Sequence, residues 1–209
     1  MVLSKRLCIM LFLGCCLMIG LATQARELPV VQEGDIIFQT SRSAQSLAIQ
    51  QATGSRYSHM GIILLRNGKP YVFEASATVR YTPLSSWIAR GENKHIVVKR
   101  LKNAEQALTP SAKLKIRKQA QSFAEKPYDA LFSWSDERLY CSELVWKIYD
   151  RALGIQIGHL QKVREFNLGS PAVKQKLRER YGTQIPWDAP VISPKAMFDS
   201  PLLVTVIAN

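Results

Sequence analysis

The chain has 209 residues, 47% of them hydrophobic and 21% charged, and a formal net charge of +12. This is long enough for one well-cored domain. The absence of internal repeats and low-complexity tracts excludes a repeat or disordered architecture. The segment 1–25 stands apart. Lys5 and Arg6 precede an apolar run from Leu7 to Leu21, followed by "ATQARELP". A basic start, about 15 apolar residues and a small-residue site mark a secretory signal peptide cleaved after Ala25. The run is short for a membrane span, which needs roughly 20 apolar residues. A lipoprotein anchored at Cys15 of "FLGC" and an uncleaved N-terminal anchor are the alternatives. The expected product is a periplasmic or otherwise exported protein, residues 26–209.

Removing Lys5 and Arg6 lowers the net charge from +12 to +10. In a nuclear or cytosolic protein that excess would point to nucleic acid. In an exported one it points instead to an anionic envelope of phospholipid headgroups, lipopolysaccharide or cell-wall polymer. The basic residues are scattered, among other places over "KLKIRK" and "KQKLRER", both helical stretches, and solubility alone also accounts for them.

In chain order, "GDIIFQT" (34–40) reads as a strand and "SAQSLAIQQAT" (43–53) as a short helix with Ser43 as N-cap and Gly54 as its stop. "SHMGIILL" (58–65), the turn "RNGK" and "PYVFEAS" (70–76) form a hairpin around Asn-Gly. "TVRYTP" (78–83) and "HIVVKRL" (95–101) are further strands, with a helix "LSSWIAR" (84–90) between them. The pattern then turns helical. Residues 109–126 carry Leu114, Ile116, Ala120, Phe123 and Ala124 at helical spacing. Residues 141–154 carry Leu144, Val145, Ile148, Tyr149 and Ala152 on one face, with Gly154 as C-cap. A third helix spans 170–182, with Ser170 as N-cap and Pro171 after it. "LLVTVIA" (202–208) is a late strand. No Gly-, Ser- or Pro-rich linker divides the chain, so one α+β domain is expected.

Cys8, Cys15 and Cys16 fall in the leader, and the mature chain keeps Cys141 alone. One cysteine has no intramolecular disulfide partner and makes a poor zinc site, so neither metal nor cofactor is expected. Cys141 is then an inert core thiol or a reactive one. It opens its helix, where free N–H groups and the helix dipole favour a thiolate and an adjacent oxyanion. A nucleophilic cysteine also needs a base with an orienting partner. His95 and His159 lie at loops, and His59 opens the first hairpin strand, with Glu74 on the second. His59 and Glu74 are not directly opposed, but near one end of adjacent strands they can meet. Spacing alone does not select them.

"GDIIFQT…YSHMGIILLRNG" resembles the Gly-Asp strand and Ser-His-x-Gly-Ile strand of the NlpC/P60 superfamily of papain-like cysteine peptidases and amidases. "KPYDALFSW…LYCSELVWKIY" is similar to its nucleophile segment, usually Asp-Cys-Ser-Gly-Leu-Val and here Tyr140-Cys141-Ser142-Glu143-Leu144-Val145. The order departs from ordinary members, in which the cysteine helix comes first, because His59 precedes Cys141. That is the circularly permuted arrangement, and the chain looks closest to the YiiX/YaeF type over roughly residues 33–200. The resemblance implies an antiparallel sheet packed against a nucleophile-bearing helix. It also implies a Cys141–His59–Glu74 triad acting through an acyl-enzyme.

Tyr57 and Tyr140 flank the two reactive positions and are candidates for the cleft wall, as is Trp134 in the loop before Cys141. Asp35 is expected to stabilise the turn into its strand. The expected substrate is an amide of the envelope, such as a peptidoglycan stem-peptide bond. The alternative is a lipid ester, hydrolysed or transacylated as in relatives resembling lecithin:retinol acyltransferase. A lipid predicts an apolar groove beside Cys141, and a muropeptide predicts a polar cleft. A non-catalytic envelope binding protein is the third reading. The oligomeric state is not legible.

Overall fold

The computed structural model describes residues 30–209. The expected leader, with Cys8, Cys15 and Cys16, lies outside the described residues. Strands β1 (Ile36–Gln39), β2 (His59–Arg66), β3 (Lys69–Ala75), β4 (Val79–Pro83) and β5 (Val97–Leu101) join β8 (Leu203–Ala208) in one antiparallel sheet. The spatial order is β4-β3-β2-β1-β5-β8. Helix α1 (Ser46–Thr53) follows β1 and α2 (Leu84–Arg90) follows β4. Helices α3 (Ala104–Ala107), α4 (Pro110–Phe123) and α5 (Cys141–Leu153) come after β5. A small ribbon of β6 (Gln161–Lys162) and β7 (Pro190–Val191) brackets α6 (Pro171–Tyr181), and α7 (Pro194–Phe198) leads into β8.

Period-two alternation sends each strand's side chains to two apolar layers. Ile36, Phe38, Met60, Ile62 and Phe73 face the larger one, with Leu144, Val145 and Ile148 of α5 and Ile116 and Phe123 of α4. Ile37, Ile63, Val72 and Val98 face the smaller one, covered by Leu84 and Trp87 of α2. Helix α5 is buried on every side from Cys141 to Tyr149, which makes it the central helix and not a surface amphipath.

Local chemistry sets the boundaries. Asn67 and Gly68 both take positive φ, 49° and 72°, as the tight β2–β3 turn requires. Thr109 and Ser170 accept the N–H of Ala112 and Val173, each followed by Pro at the first helical position. Gly154 closes α5 in the left-handed region at φ 69°. Asp35 accepts the Gln32 N–H at 2.7 Å and a two-pronged contact from Arg100 at 2.7 and 2.8 Å, fixing the turn into β1.

Two expectations are corrected. Helix α1 begins at Ser46, not Ser43; Ser43 lies in the preceding turn, where its carbonyl accepts the Ser46 N–H. Leu114 is 62% exposed. The inner face of α4 is instead Ala112, Ile116, Ala120 and Phe123, at four-, four- and three-residue spacing.

Candidate active site

His59 opens β2 and Glu74 stands near the end of β3, so both lie at one end of the sheet. The register pairs Ile62 with Phe73. Continued by one step, it sets Glu74 opposite Gly61 and leaves it diagonal to His59 on the same face, within reach of longer side chains. The His59 Nε2–H donates to Glu74 Oε2 at 2.6 Å. Gly61 sits between His59 and Ile63, where a Cβ would meet the Phe73 carbonyl oxygen at 2.8 Å and Glu74 Cβ at 3.4 Å.

Glu74 is fully buried and gathers four donors. Thr82 Oγ1–H reaches Oε1 at 2.5 Å, and Trp87 Nε1–H reaches Oε2 at 3.0 Å; the Arg90 guanidinium and His59 complete the set. Burial opposes its charge, but the hydrogen bond and charge of His59, the Arg90 charge and the Thr82 hydroxyl outweigh it, holding the carboxyl at about 2. Trp87 also stacks on the imidazole, centroids 5.9 Å apart at 25°. The ring is thus held in plane by an indole and in rotation by a carboxylate.

Cys141 is 3% exposed, at the first position of α5, and that helix packs on β2 and β3. Burial works against an imidazolium at His59. The Cys141 thiol and the Glu74 carboxylate beside it override it and raise His59 to about 9. With Nε2 committed to Glu74, Nδ1 is the nitrogen left for the thiol. Leu144 is the first amide of α5 to bond a carbonyl within the helix, that of Tyr140. The Cys141 N–H at the helix start therefore has no partner along the helix.

Two concavities meet here. The first, about 110 Å³, opens on Cys141 and is lined by apolar side chains that include Ala48, Phe132, Val173, Leu177 and Ile192. The second, about 440 Å³, opens on His59 and carries polar groups including Gln39, Arg42, Ser58 and Arg90. Gln45 and Tyr128 line both.

The other expected cleft residues are distributed unevenly. Tyr140 lines the groove beside Cys141, and its hydroxyl oxygen accepts the Ile192 N–H at 3.0 Å. Tyr57 stacks on Phe198 at 4.3 Å. Trp134 packs against Trp146 at 5.3 Å under the Lys147 ammonium, and its neighbour Phe132 lines the groove in its place.

Sequence reasoning missed Thr82, Trp87 and Arg90 around Glu74, and Gln45, Tyr128 and Arg180 beside Cys141. Gln45 Nε2–H donates to the Tyr128 oxygen at 2.7 Å, and Arg180 donates to Gln45 Oε1 at 2.5 Å. The available signal was local: Tyr128 lies inside "KPYD", part of a segment that carried the resemblance, and Gln45 lies just past "GDIIFQT". Where the superfamily has glycine, Glu143 accepts the Tyr140 N–H at 3.3 Å and pairs with Lys147 at 2.7 Å. Burial leads over that lysine and raises its carboxyl to about 7.

A family model described as "permuted papain-like amidase enzyme, YaeF/YiiX, C92 family" matches residues 30–207. The Escherichia coli K12 protein described as "uncharacterized protein YiiX" is 54% identical over 175 residues, covering 84% of this chain and 85% of that protein. A crystal structure of "metalloprotein yiiX" from Escherichia coli O157:H7 superposes with a TM-score of 0.81 at 53% identity, over 85% of this chain and 97% of that one. Among the described residues here, no three His, Cys, Asp or Glu side chains group as a metal's ligands would. The hairpin histidine, the central-helix cysteine that follows it and the match over nearly the whole described chain lead to one conclusion: the chain belongs to the permuted papain-like amidase family of YaeF and YiiX.

Proposed function

We propose that this protein is a cysteine acyl hydrolase of the bacterial envelope that cleaves an amide of an apolar acyl group through a covalent intermediate on Cys141. The observation that carries this reading is the groove on the thiol: its lining is overwhelmingly apolar, whereas a muropeptide would call for polar groups there. The family supports the amide bond. The leader-like segment 1–25 and the excess of basic residues support the envelope. A lipid ester is the second reading, favoured by the same groove.

In this mechanism Cys141 Sγ attacks the acyl carbon as a thiolate paired with the His59 imidazolium. The Cys141 N–H stabilises the oxyanion. His59 Nδ1 then gives its proton to the departing nitrogen, the C–N bond breaks and the acyl group stays on sulfur. Water, deprotonated by His59, attacks the thioester, and the carboxylic acid leaves. Glu74 holds the imidazole in the tautomer with Nε2–H and balances its charge.

The groove is smaller than an apolar cavity of about 150 Å³, the size that takes benzene. Chains longer than a few carbons must extend past α6 or displace it. The test is a p-nitrophenyl ester series from acetate to palmitate on residues 26–209, read as an acyl mass shift on Cys141. Faster acylation by medium chains than by acetate, lost in Cys141→Ser, is expected. Cleavage of stem peptides together with no acylation by any ester would overturn the apolar reading.

A further inference from the structure

The groove and the cavity divide a substrate between them. In the reaction proposed above, the acyl carbon bonds to Cys141 while the departing group takes its proton from His59. Each half of the substrate therefore lies beside the group that handles it. The apolar groove touches Cys141 and the polar cavity touches His59. Resting on that reading, we propose that the cavity beside His59 is the leaving-group subsite and that it selects an anionic head group, a phosphate or a carboxylate.

Four observations support this assignment. No Asp or Glu lines the cavity. Arg42 reaches it without an ion pair among the described residues. Arg90 and His59 supply further positive charge, and the buried Glu74 they share is already balanced by them. Finally, Gln39 is 1% exposed, lines the cavity and has neither its amide nitrogen nor its amide oxygen paired; the Ser76 hydroxyl, on the same cavity, is unpaired too. A buried amide without partners is costly, and an anionic ligand that accepts from Gln39 Nε2 removes the nitrogen's share of that cost. Gln39 pairs with His59 across β1 and β2, so the same head group lies next to the proton donor. At about 440 Å³, the cavity is large enough to take a head group.

The experiment uses four lauroyl amides with one acyl chain and four leaving amines: phosphoethanolamine, glutamate, ethanolamine and ethylenediamine. Amine release gives kcat/KM for each on residues 26–209, with p-nitrophenyl laurate as an acylating probe that lacks a head group. Wild type is expected to prefer the two anionic amines over ethylenediamine by about fivefold, the upper range for solvent-exposed ion pairs. Arg42→Gln narrows that ratio and Arg42→Glu inverts it. Preference for phosphoethanolamine alone would narrow the class to phosphates, and preference for glutamate alone to carboxylates; either supports the subsite. Equal rates for all four amines, unchanged in Arg42→Glu, overturn the subsite while leaving the hydrolase reading standing. Failure of p-nitrophenyl laurate to label Cys141 overturns both.

Discussion

Gln45 and Tyr128 are joined by a 2.7 Å hydrogen bond at the place where the apolar groove and the polar cavity meet. Because Gln45 donates, the phenol proton of Tyr128 is free to be given elsewhere. Arg180 donates to the other end of the amide and so fixes its orientation. Burial, and then the charge of Cys141, push the Tyr128 phenol up, so it stays protonated throughout the working range. We expect Tyr128→Phe to lower kcat by about 100-fold, the scale of losing one oxyanion donor, with KM nearly constant. An unchanged kcat with a lowered melting temperature would assign Tyr128 to packing alone.

The single thiol of residues 26–209 gives the most direct check on His59. Iodoacetamide should label Cys141 rapidly at pH 6 in residues 26–209, and His59→Ala should slow that labelling at least tenfold. An ordinary thiol, by contrast, titrates near about 8.5. Labelling equally slow in both proteins would mean the thiol and imidazole do not form a charged pair.

The pH dependence follows from two shifts of opposite sign. His59 is raised from 6.5 to about 9, so its contribution is complete below pH 6.5 and is lost as pH rises through 9. Glu74 is lowered from 4.5 to about 2, so its contribution is complete above pH 4.5 and is lost as pH falls through 2. The pair therefore stabilises most between pH 4.5 and 6.5. Breaking a buried pair costs about 3 kcal/mol, or roughly 6–12 °C in a domain of this size. Glu74→Gln should show its largest melting deficit in that window and a smaller one at pH 9, and the His59 imidazole, followed by NMR, should titrate lower. A deficit independent of pH would separate Glu74 from the titration of His59.

Gly61→Ala tests the packing under the pair. The added methyl meets the Phe73 carbonyl and the Val72 side chain, and overpacking of this kind costs about 1–3 kcal/mol. A melting temperature lower by roughly 2–12 °C is expected, with activity reduced more than stability because Glu74 is displaced from His59. A fully active, equally stable variant would show that the hairpin has slack there.

The hairpin, the central helix and the positions of Cys141, His59 and Glu74 were legible because each rests on a local signal: Asn-Gly, a helical periodicity, or a short motif. The support around Glu74 was not. Trp87 and Arg90 lie on a helix whose apolar pattern reads the same whether the indole meets aliphatic side chains or a carboxylate. Trp134 misled because loop position says nothing about direction; it turns to Trp146 while Phe132 faces the groove. Leu114 fitted the helical period yet faces solvent, since the partner of α4 sets which stripe is buried. The groove itself is assembled from α1, the loop before α5, α5, α6 and β7, and no single window of sequence contains it.

The reversed order of histidine and cysteine also governs when a reactive site first exists. During synthesis the hairpin with His59 and Glu74 leaves the ribosome first, and Cys141 follows only after β4, α2, β5, α3 and α4 have emerged. At about 5–20 residues per second, the stretch between positions 59 and 141 takes roughly 4–16 s to make. The imidazole, its carboxylate and the indole over it can settle on the sheet before Cys141 is present. The thiol then gains its partner only when α5 docks, so reactivity appears at the close of folding and a chain interrupted before residue 141 carries none.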